Sequence, residues 1–200
     1  RFFSTMSHDM RTPLNAIIGL TELAEKSYGD AGQTAEYLTK IRTASQQLLT
    51  LINDLLEISR LERGKIDLNR EPFDIKDCVE KCAEIFRAQA QKENKQFTLS
   101  FDVSEPVVLG DASRVTQILN NLISNAVKYS DEGDSIDVRV RQMGSQKIKK
   151  YQFIIADTGR GMTPEFLDKL FKPYEREVRF GARGVAGTGL GMPIVKSLVS

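Results

Sequence analysis

Two apolar runs that alternate steps of three and four constrain this sequence more than any other feature. In the first, Phe3, Met6, Met10, Pro13, Ile17, Leu20 and Ala24 form a stripe. In the second, Leu38, Ile41, Ser45, Leu48, Ile52, Leu55 and Ser59 do so, with Leu49, Leu56 and Ile58 widening it. That period belongs to helices packed along a coiled-coil-like seam. The first helix is expected to reach about Tyr28, where Gly29-Asp30-Ala31-Gly32 breaks it, and the second to run from near Thr34 to Gly64. Two long helices with so short a connection make an antiparallel hairpin. About sixty residues in two helices bury too little apolar surface alone, and the second stripe is too wide for one partner. A four-helix bundle built by two chains, a homodimer through residues 1–62, is the expected completion.

His8 is the only histidine, which excludes a multi-histidine metal site. With Phe3 at heptad position a, His8 falls at f, furthest from the seam, where an imidazole contributes little to packing. Its neighbours in Ser7-His8-Asp9-Met10-Arg11-Thr12-Pro13-Leu14 suit chemistry. Asp9 can accept a hydrogen bond from one ring nitrogen, fixing the neutral tautomer and freeing the other lone pair for attack. Thr12, one turn on and on the same face, can position a water. Pro13 supplies no N–H, so the Asp9 carbonyl loses its helical partner and a bend is expected. A solvated surface histidine is the bland alternative.

Composition narrows the classes. A chain of 200 residues, 40% hydrophobic and 28% charged, is globular with one or two domains. A formal charge of +1 gives no support to nucleic-acid binding. No apolar run is long enough to span a bilayer, and there is no signal-peptide pattern. The two cysteines, Cys78 and Cys82, lie four apart on a helix face and read as packing residues in a reducing compartment. Arg1-Phe2-Phe3 falls inside the first helix, so an upstream segment is expected to have been removed.

Beyond a boundary near residues 63–66, the periods change. Lys65–Arg70 alternates like a strand, and Pro72 with Asp74 introduces a helix to about Asn94 packed by Val79, Cys82, Ile85 and Phe86. Strands are expected at Phe97–Val103 and Val107–Leu109, then a helix from Ala112 to about Tyr129 capped by Asp111. Strands at Ser135–Gln142 and Tyr151–Ala156 flank a turn around Gly144. A short helix after Pro164, a Gly- and Arg-rich loop at residues 175–187 and a helix from near Leu190 complete an α+β domain.

Three polar clusters punctuate it. Asn120-Asn121-Leu122-Ile123-Ser124-Asn125-Ala126-Val127-Lys128-Tyr129 places Asn121 and Asn125 on one helix face, where an amide oxygen can ligate magnesium and Lys128 can offset phosphate charge. Asp157-Thr158-Gly159-Arg160-Gly161 follows an apolar strand: its carboxylate can accept from an exocyclic amine, and its glycines let backbone approach a flat ring. Gly187-Thr188-Gly189-Leu190-Gly191 opens a helix with free N–H groups and a hydroxyl for phosphates. Each alone is weak: surface asparagines, an ordinary Asp-Thr-Gly turn and a Gly-x-Gly repeat are all common.

In this order, behind a lone helical histidine, the clusters resemble the catalytic core of a two-component sensor histidine kinase, which includes hybrid kinases. Ser7–Leu14 matches the family's H-box, Asn121–Tyr129 its N-box, Asp157–Gly161 its G1 box and Gly187–Gly191 its G2 box, while Phe171-Lys172-Pro173-Tyr174 resembles the F-box. The resemblance implies a dimerisation and histidine-phosphotransfer domain, residues 1–64, and a Bergerat-type (GHKL) α/β-sandwich ATP-binding domain, residues 65–200. It implies His8 as phosphoacceptor, Asp9 as its acidic partner and Thr12 as the residue used in phosphatase action. ATP and Mg2+ are the implied cofactors. Asn125 is the metal ligand, Lys128 lies near the phosphates, Tyr129 against the adenine and Asp157 on its amine. Asn121, Gly159, Gly161, Phe171, Gly187, Thr188, Gly189, Leu190 and Gly191 complete the nucleotide-binding set. Residues 175–187 are the implied ATP lid, with Arg176, Arg179 and Arg183 as auxiliaries.

The implied partners are a second copy of the chain and a response regulator's receiver domain, with no nucleic acid and no membrane contact by this segment. The implied location is cytoplasmic, in a parent that is soluble or anchored in the cytoplasmic membrane. The family adds further strands after the last helix, and the sequence stops at Ser200, so an incomplete sheet is expected. Related ATPases of the gyrase and Hsp90 type place a Glu one turn before the magnesium-binding Asn. Asn121 stands there instead and cannot act as a base. That speaks against an ATPase, which with a dimeric nucleotide-binding scaffold is the alternative to a kinase.

Overall fold

The computed structural model describes residues 2–27, 29–62, 68–145, 148–177 and 188–200. It divides into two compact units, Arg1–Lys65 with Ala186–Leu190, and Ile66–Val185 with Gly191–Ser200. The first holds helices α1 (Phe2–Lys26) and α2 (Ala31–Glu62). Helix α2 starts at Ala31 rather than near Thr34 because Asp30 acts as its N-cap. The Asp30 carboxylate accepts from Gln33 N–H at 2.9 Å, and its carbonyl from Thr34 N–H at 3.0 Å. Gly64, expected to end α2, and the side chain of Phe3 lie outside the described residues.

On α1, Pro13 is buried and Met6, Met10, Ile17, Leu20 and Ala24 are half-buried, as the seam requires. On α2, Ile41, Leu48, Ile52, Leu55 and Ser59 of the expected stripe are half-buried, and Thr34, Tyr37, Ala44, Leu51 and Ile58 are sheltered with them, whereas Leu38 and Ser45 face outward. The inward face is thus rotated by one position over part of the helix, with small Ala44 allowing close approach to α1. Leu38, Leu49 and Leu56 on α2 and Leu14, Ile18 and Leu23 on α1 remain exposed.

The second unit is a two-layer α/β arrangement. Strand β1 (Glu71–Asp74) pairs antiparallel with β3 (Val107–Gly110), Phe73 opposite Val108. Strands β2 (Gln96–Asp102), β4 (Ser135–Ser145) and β5 (Ile148–Asp157) form a sheet in the order β2-β4-β5, the first pair parallel and the second antiparallel. Of the strand expected at Lys65–Arg70, residues 65–67 lie outside the described residues, residues 68–70 are irregular, and the strand begins at Glu71. Pro72 is accommodated because β1 has one ladder partner only. The turn expected at Gly144 also moves, since Gly144 pairs with Lys149 inside the β4–β5 ladder.

Alternation along the strands turns one face inward. Phe97, Leu99 and Phe101 on β2, Ile136, Val138 and Val140 on β4, and Tyr151, Phe153 and Ile155 on β5 meet helices α3 (Ile75–Lys92) and α4 (Ala112–Tyr129). Val79 and Cys82 of α3 and Leu119, Ile123, Ala126 and Val127 of α4 are buried against them. Ile85, expected in this core, is 68% exposed, because the Val79–Cys82–Phe86 stripe already faces the sheet. Cys82 packs with its Sγ 3.0 Å from Asn120 Oδ1, and burial pushes its thiol up to about 11. Short α5 (Pro164–Leu167) and closing α6 (Gly191–Val199) complete the element order. Among the described residues, no helix is long and apolar enough to cross a membrane.

Asp111 caps α4 as expected, accepting from Ser113 N–H at 3.0 Å and Arg114 N–H at 3.2 Å. It also accepts from Asn69 N–H at 3.1 Å, tying the segment before β1 to the same carboxylate. These donors, with the Ser113 hydroxyl foremost, hold its carboxyl below the ordinary value. Asp111→Ala should cost about 1 kcal/mol in urea unfolding. Because the folded value is depressed, that contribution is present above about pH 3.9 and is lost as pH falls through the folded value. The difference between parent and variant should therefore shrink in acid.

Candidate functional site

Helix α1 carries His8 with its side chain 79% exposed, one turn before Thr12. Nδ1 of the imidazole lies 3.3 Å from Asp9 Oδ1. An acceptor there favours the tautomer with the proton on Nδ1, which leaves the Nε2 lone pair facing solvent. The Thr12 hydroxyl donates to the His8 carbonyl at 3.2 Å, so its proton is used and its lone pairs remain available to a water. The helix passes through Pro13 without interruption.

In the second unit, the C-terminal half of α4 and the turn after β5 meet at one point. Gly159 lies so close to Tyr129 that a Cβ there would be 2.4 Å from the Tyr129 carbonyl oxygen. Arg160 N–H donates to that same oxygen at 3.2 Å, satisfying a helix-end carbonyl. Gly159 N–H in turn donates to Asp157 Oδ1 at 3.0 Å, which orients the carboxylate. Gly161 takes φ +61°, a left-handed conformation that suits glycine. Lys128, Tyr129, Asp157, Gly159 and Gly161 are thereby gathered around a single junction.

Its electrostatics are cationic. Lys128 Nζ lies 5.1 Å and the Arg160 guanidinium carbon 4.8 Å from the Tyr129 ring centroid. Burial lowers the Lys128 pKa from its ordinary value, and the neighbouring Arg176 and Arg160 charges lower it further. Arg160 was not anticipated as a member of this cluster; its place between two glycines of a turn hid the ring it would lie over. Asn121 and Asn125 are half-buried one turn apart on α4. A Cβ on Gly191, at the start of α6, would lie 2.9 Å from Asn121 Oδ1, so the glycine permits α6 to approach α4.

Phe171 is exposed, with Lys196 Nζ 5.4 Å from its ring centroid. Thr188 groups with the helical hairpin: its hydroxyl donates to Asp54 Oδ2 at 3.1 Å and accepts from Leu190 N–H at 3.1 Å. Gly189 has φ +69°, and Leu190 is buried. Gly187, Arg179 and Arg183 lie outside the described residues. Among the described residues, no group of three or more His, Cys, Asp or Glu side chains could hold a metal ion. The half-buried Asn125 amide suits a magnesium ion that takes most of its ligands from phosphate and water.

Two protein families match this chain. The His Kinase A (phospho-acceptor) domain matches residues 1–64, and the histidine kinase-, DNA gyrase B- and HSP90-like ATPase matches residues 110–200. The chain belongs to the sensor histidine kinases. It is 33% identical to the cell-division control histidine kinase PdhS of Brucella anthropi, over 99% of this chain and 20% of PdhS. The autoinducer 2 sensor kinase/phosphatase LuxQ of Vibrio parahaemolyticus is 32% identical over 99% of this chain and 23% of LuxQ. The solved structure of full-length ShkA in complex with AMPPNP superposes with a TM-score of 0.69 at 29% identity, covering 98% of this chain and 39% of ShkA. The chain thus spans about a fifth of the length of the curated relatives it matches.

Gly159→Ala tests the junction directly. The clash is with backbone, which cannot swing aside as a side-chain tip does, so the turn must back away from α4. We expect a loss of roughly 1–3 kcal/mol in thermal unfolding, together with weaker nucleotide binding. A variant as stable as the parent would show that the approach of Gly159 to Tyr129 is dispensable.

Proposed function

We propose that this chain phosphorylates His8 with the γ-phosphoryl group of ATP and passes it to an aspartate of a response regulator's receiver domain. The observation that carries the reading is the exposed His8 imidazole with Nδ1 beside Asp9, in one chain with the Lys128–Tyr129–Asp157 cluster. The Nε2 lone pair forms the N–P bond as the bond from the γ-phosphorus to the bridging oxygen breaks, and ADP leaves with that electron pair. The Nδ1 proton passes toward Asp9, which offsets positive charge on the ring.

Nucleotide binding is assigned to residues 65–200. Asp157 accepts from the adenine amine through Oδ2, Oδ1 being engaged by Gly159, and Tyr129 lies against the base. Lys128 balances phosphate charge, with Gly191 at the start of α6 as a further phosphate contact. Asn125 would hold a magnesium ion, which when bound supplies charge neutralisation between phosphates. An ATPase reading lacks its base, since Asn121 occupies that position and its amide oxygen lies against Gly191.

Phosphatase action on the regulator is assigned to Thr12, whose remaining lone pairs can hold a water beside His8; the kinase/phosphatase name of LuxQ supports this. A homodimer through residues 1–62 accounts for the outward Leu38, Leu49 and Leu56, too apolar a row to leave in water. Leu49→Glu with Leu56→Glu should give monomers by light scattering while preserving the hairpin, because both side chains point away from α1. A dimer that survives would place the interface elsewhere.

Incubation with γ-labelled ATP and magnesium should leave an acid-labile, base-stable label on the parent chain. His8→Gln should carry none yet bind ATP as the parent does, since only the nucleophile is gone. Label retained by His8→Gln would assign the acceptor to another residue. Release of phosphate with no label on either chain would favour an ATPase.

A further inference from the structure

The turn that holds Asp157 is fixed from behind by Asp134, a residue outside every sequence box described above. Thr158, the first residue past β5, donates its hydroxyl proton to Asp134 Oδ1 at 3.0 Å. The same hydroxyl oxygen accepts from Ser135 N–H at 2.9 Å, and Thr158 N–H donates to the Ser135 carbonyl at 3.1 Å. The other Asp134 oxygen, Oδ2, accepts from Asp131 N–H at 2.7 Å. Asp134 also takes part through its backbone, its carbonyl accepting from Gln96 N–H at 2.8 Å. One half-buried carboxylate therefore bridges the loop that leaves α4 and the turn that leaves β5.

We infer that Asp134 is a positioning residue for base selection, holding the Asp157–Gly161 turn so that the Asp157 carboxylate presents one fixed oxygen to an amino-substituted purine. The inference rests on the proposed adenine contact of Asp157. The linkage runs from Asp134 through Thr158 to the turn, from the turn to Gly159 N–H, and from that N–H to Asp157 Oδ1. A purine with an amine at the sixth ring position donates to the free oxygen. A purine with a carbonyl there meets it lone pair to lone pair. A fixed carboxylate discriminates between the two; a carboxylate free to swing aside does so less.

Asp134→Asn is the informative change. The amide has one acceptor oxygen where the carboxylate used two, so either the Thr158 hydroxyl or the Asp131 N–H loses its acceptor. Thr158→Val removes the hydroxyl while keeping β-branching, and Thr158→Ser restores it. Displacement of radiolabelled ATP by unlabelled ATP and GTP, with magnesium, reads the affinity ratio on the full 200-residue chain. Asp134→Asn and Thr158→Val should weaken ATP by roughly three- to tenfold, the scale of one hydrogen bond, and leave GTP unchanged or slightly tighter. Thr158→Ser should keep the parent's ratio, and thermal midpoints should stay close to the parent's.

Asp157→Asn separates the two levels of argument. If it leaves ATP affinity intact, the adenine contact itself is wrong and the inference falls with it. If Asp157→Asn weakens ATP but Asp134→Asn and Thr158→Val keep the parent's ratio, the contact stands and the positioning role is overturned. Equal losses for ATP and GTP, accompanied by a lowered midpoint, would make Asp134 a general stabiliser and overturn the inference as well.

Discussion

The seating of Gly159 against the Tyr129 carbonyl is the contact that gathers the proposed nucleotide residues of the second unit. A helix end leaves carbonyls without intrahelical partners, and here the turn after β5 supplies one through Arg160 N–H. Only a residue without a side chain can bring that N–H so near. The junction is held from below by Ile123 and Val127 of α4 packed with Ile136 and Val138 of β4, all essentially inaccessible to water. Close packing of this kind resists small displacements. Residues far apart in sequence thus acquire a common geometry from one backbone contact and the core behind it.

The helical hairpin follows a different logic. Its apolar stripe is wide enough for two seams, and α2 uses Ala44, Leu48, Leu51, Leu55 and Ile58 for the one within the chain. The row that includes Leu38, Leu49 and Leu56 is left outside. His8 lies away from the sheltered stripe of α1, so packing places few demands on the imidazole, and its orientation comes from Asp9 next to it. In the proposed role His8 would meet two different partners, a nucleotide and a receiver domain, and exposure suits that. The proposed nucleotide cluster, which would hold one ligand in one pose, is instead set by core packing.

What the sequence disclosed about this fold was what local chemistry encodes. Helix α4 begins after Asp111 and ends at Tyr129 because cap and apolar period lie within the segment itself, and β2 and α3 are legible for the same reason. Errors arose where a distant partner decides. Leu68–Arg70 shares the strand-like alternation read from Lys65 onward, but the described ladder takes in Glu71–Asp74, opposite Val107–Gly110. Gly144 looks like a turn residue yet sits in a ladder because Lys149 lies opposite. Of the site, the residue types within each box were legible. The tie from Thr158 to Asp134 was not, since a hydroxyl–carboxylate bond between two loops leaves no period or spacing to read. Thr188 beside Asp54 is equally a matter of tertiary placement.

The charge distribution at the junction completes the argument. An ammonium that is partly desolvated and flanked by guanidinium groups is unfavourable to fold around, and Lys128 is in that position with Arg160 and Arg176 nearby. Because its folded pKa is lowered, the penalty is fully present below the folded value and disappears as pH rises through the unfolded value of about 10.4. At neutral pH the unit therefore carries this cost whenever no anion is near. Burial is the larger cause of that cost; a polyphosphate bound beside Lys128, as proposed above, would offset only the part that comes from Arg176 and Arg160, and by linkage that relief would add to binding. The Tyr129 ring, with cationic groups 5.1 Å and 4.8 Å from its centroid, places this charged cluster beside a flat apolar surface. A ligand with a ring at one end and several negative charges at the other satisfies both halves at once, whereas phosphate alone or a base alone satisfies one.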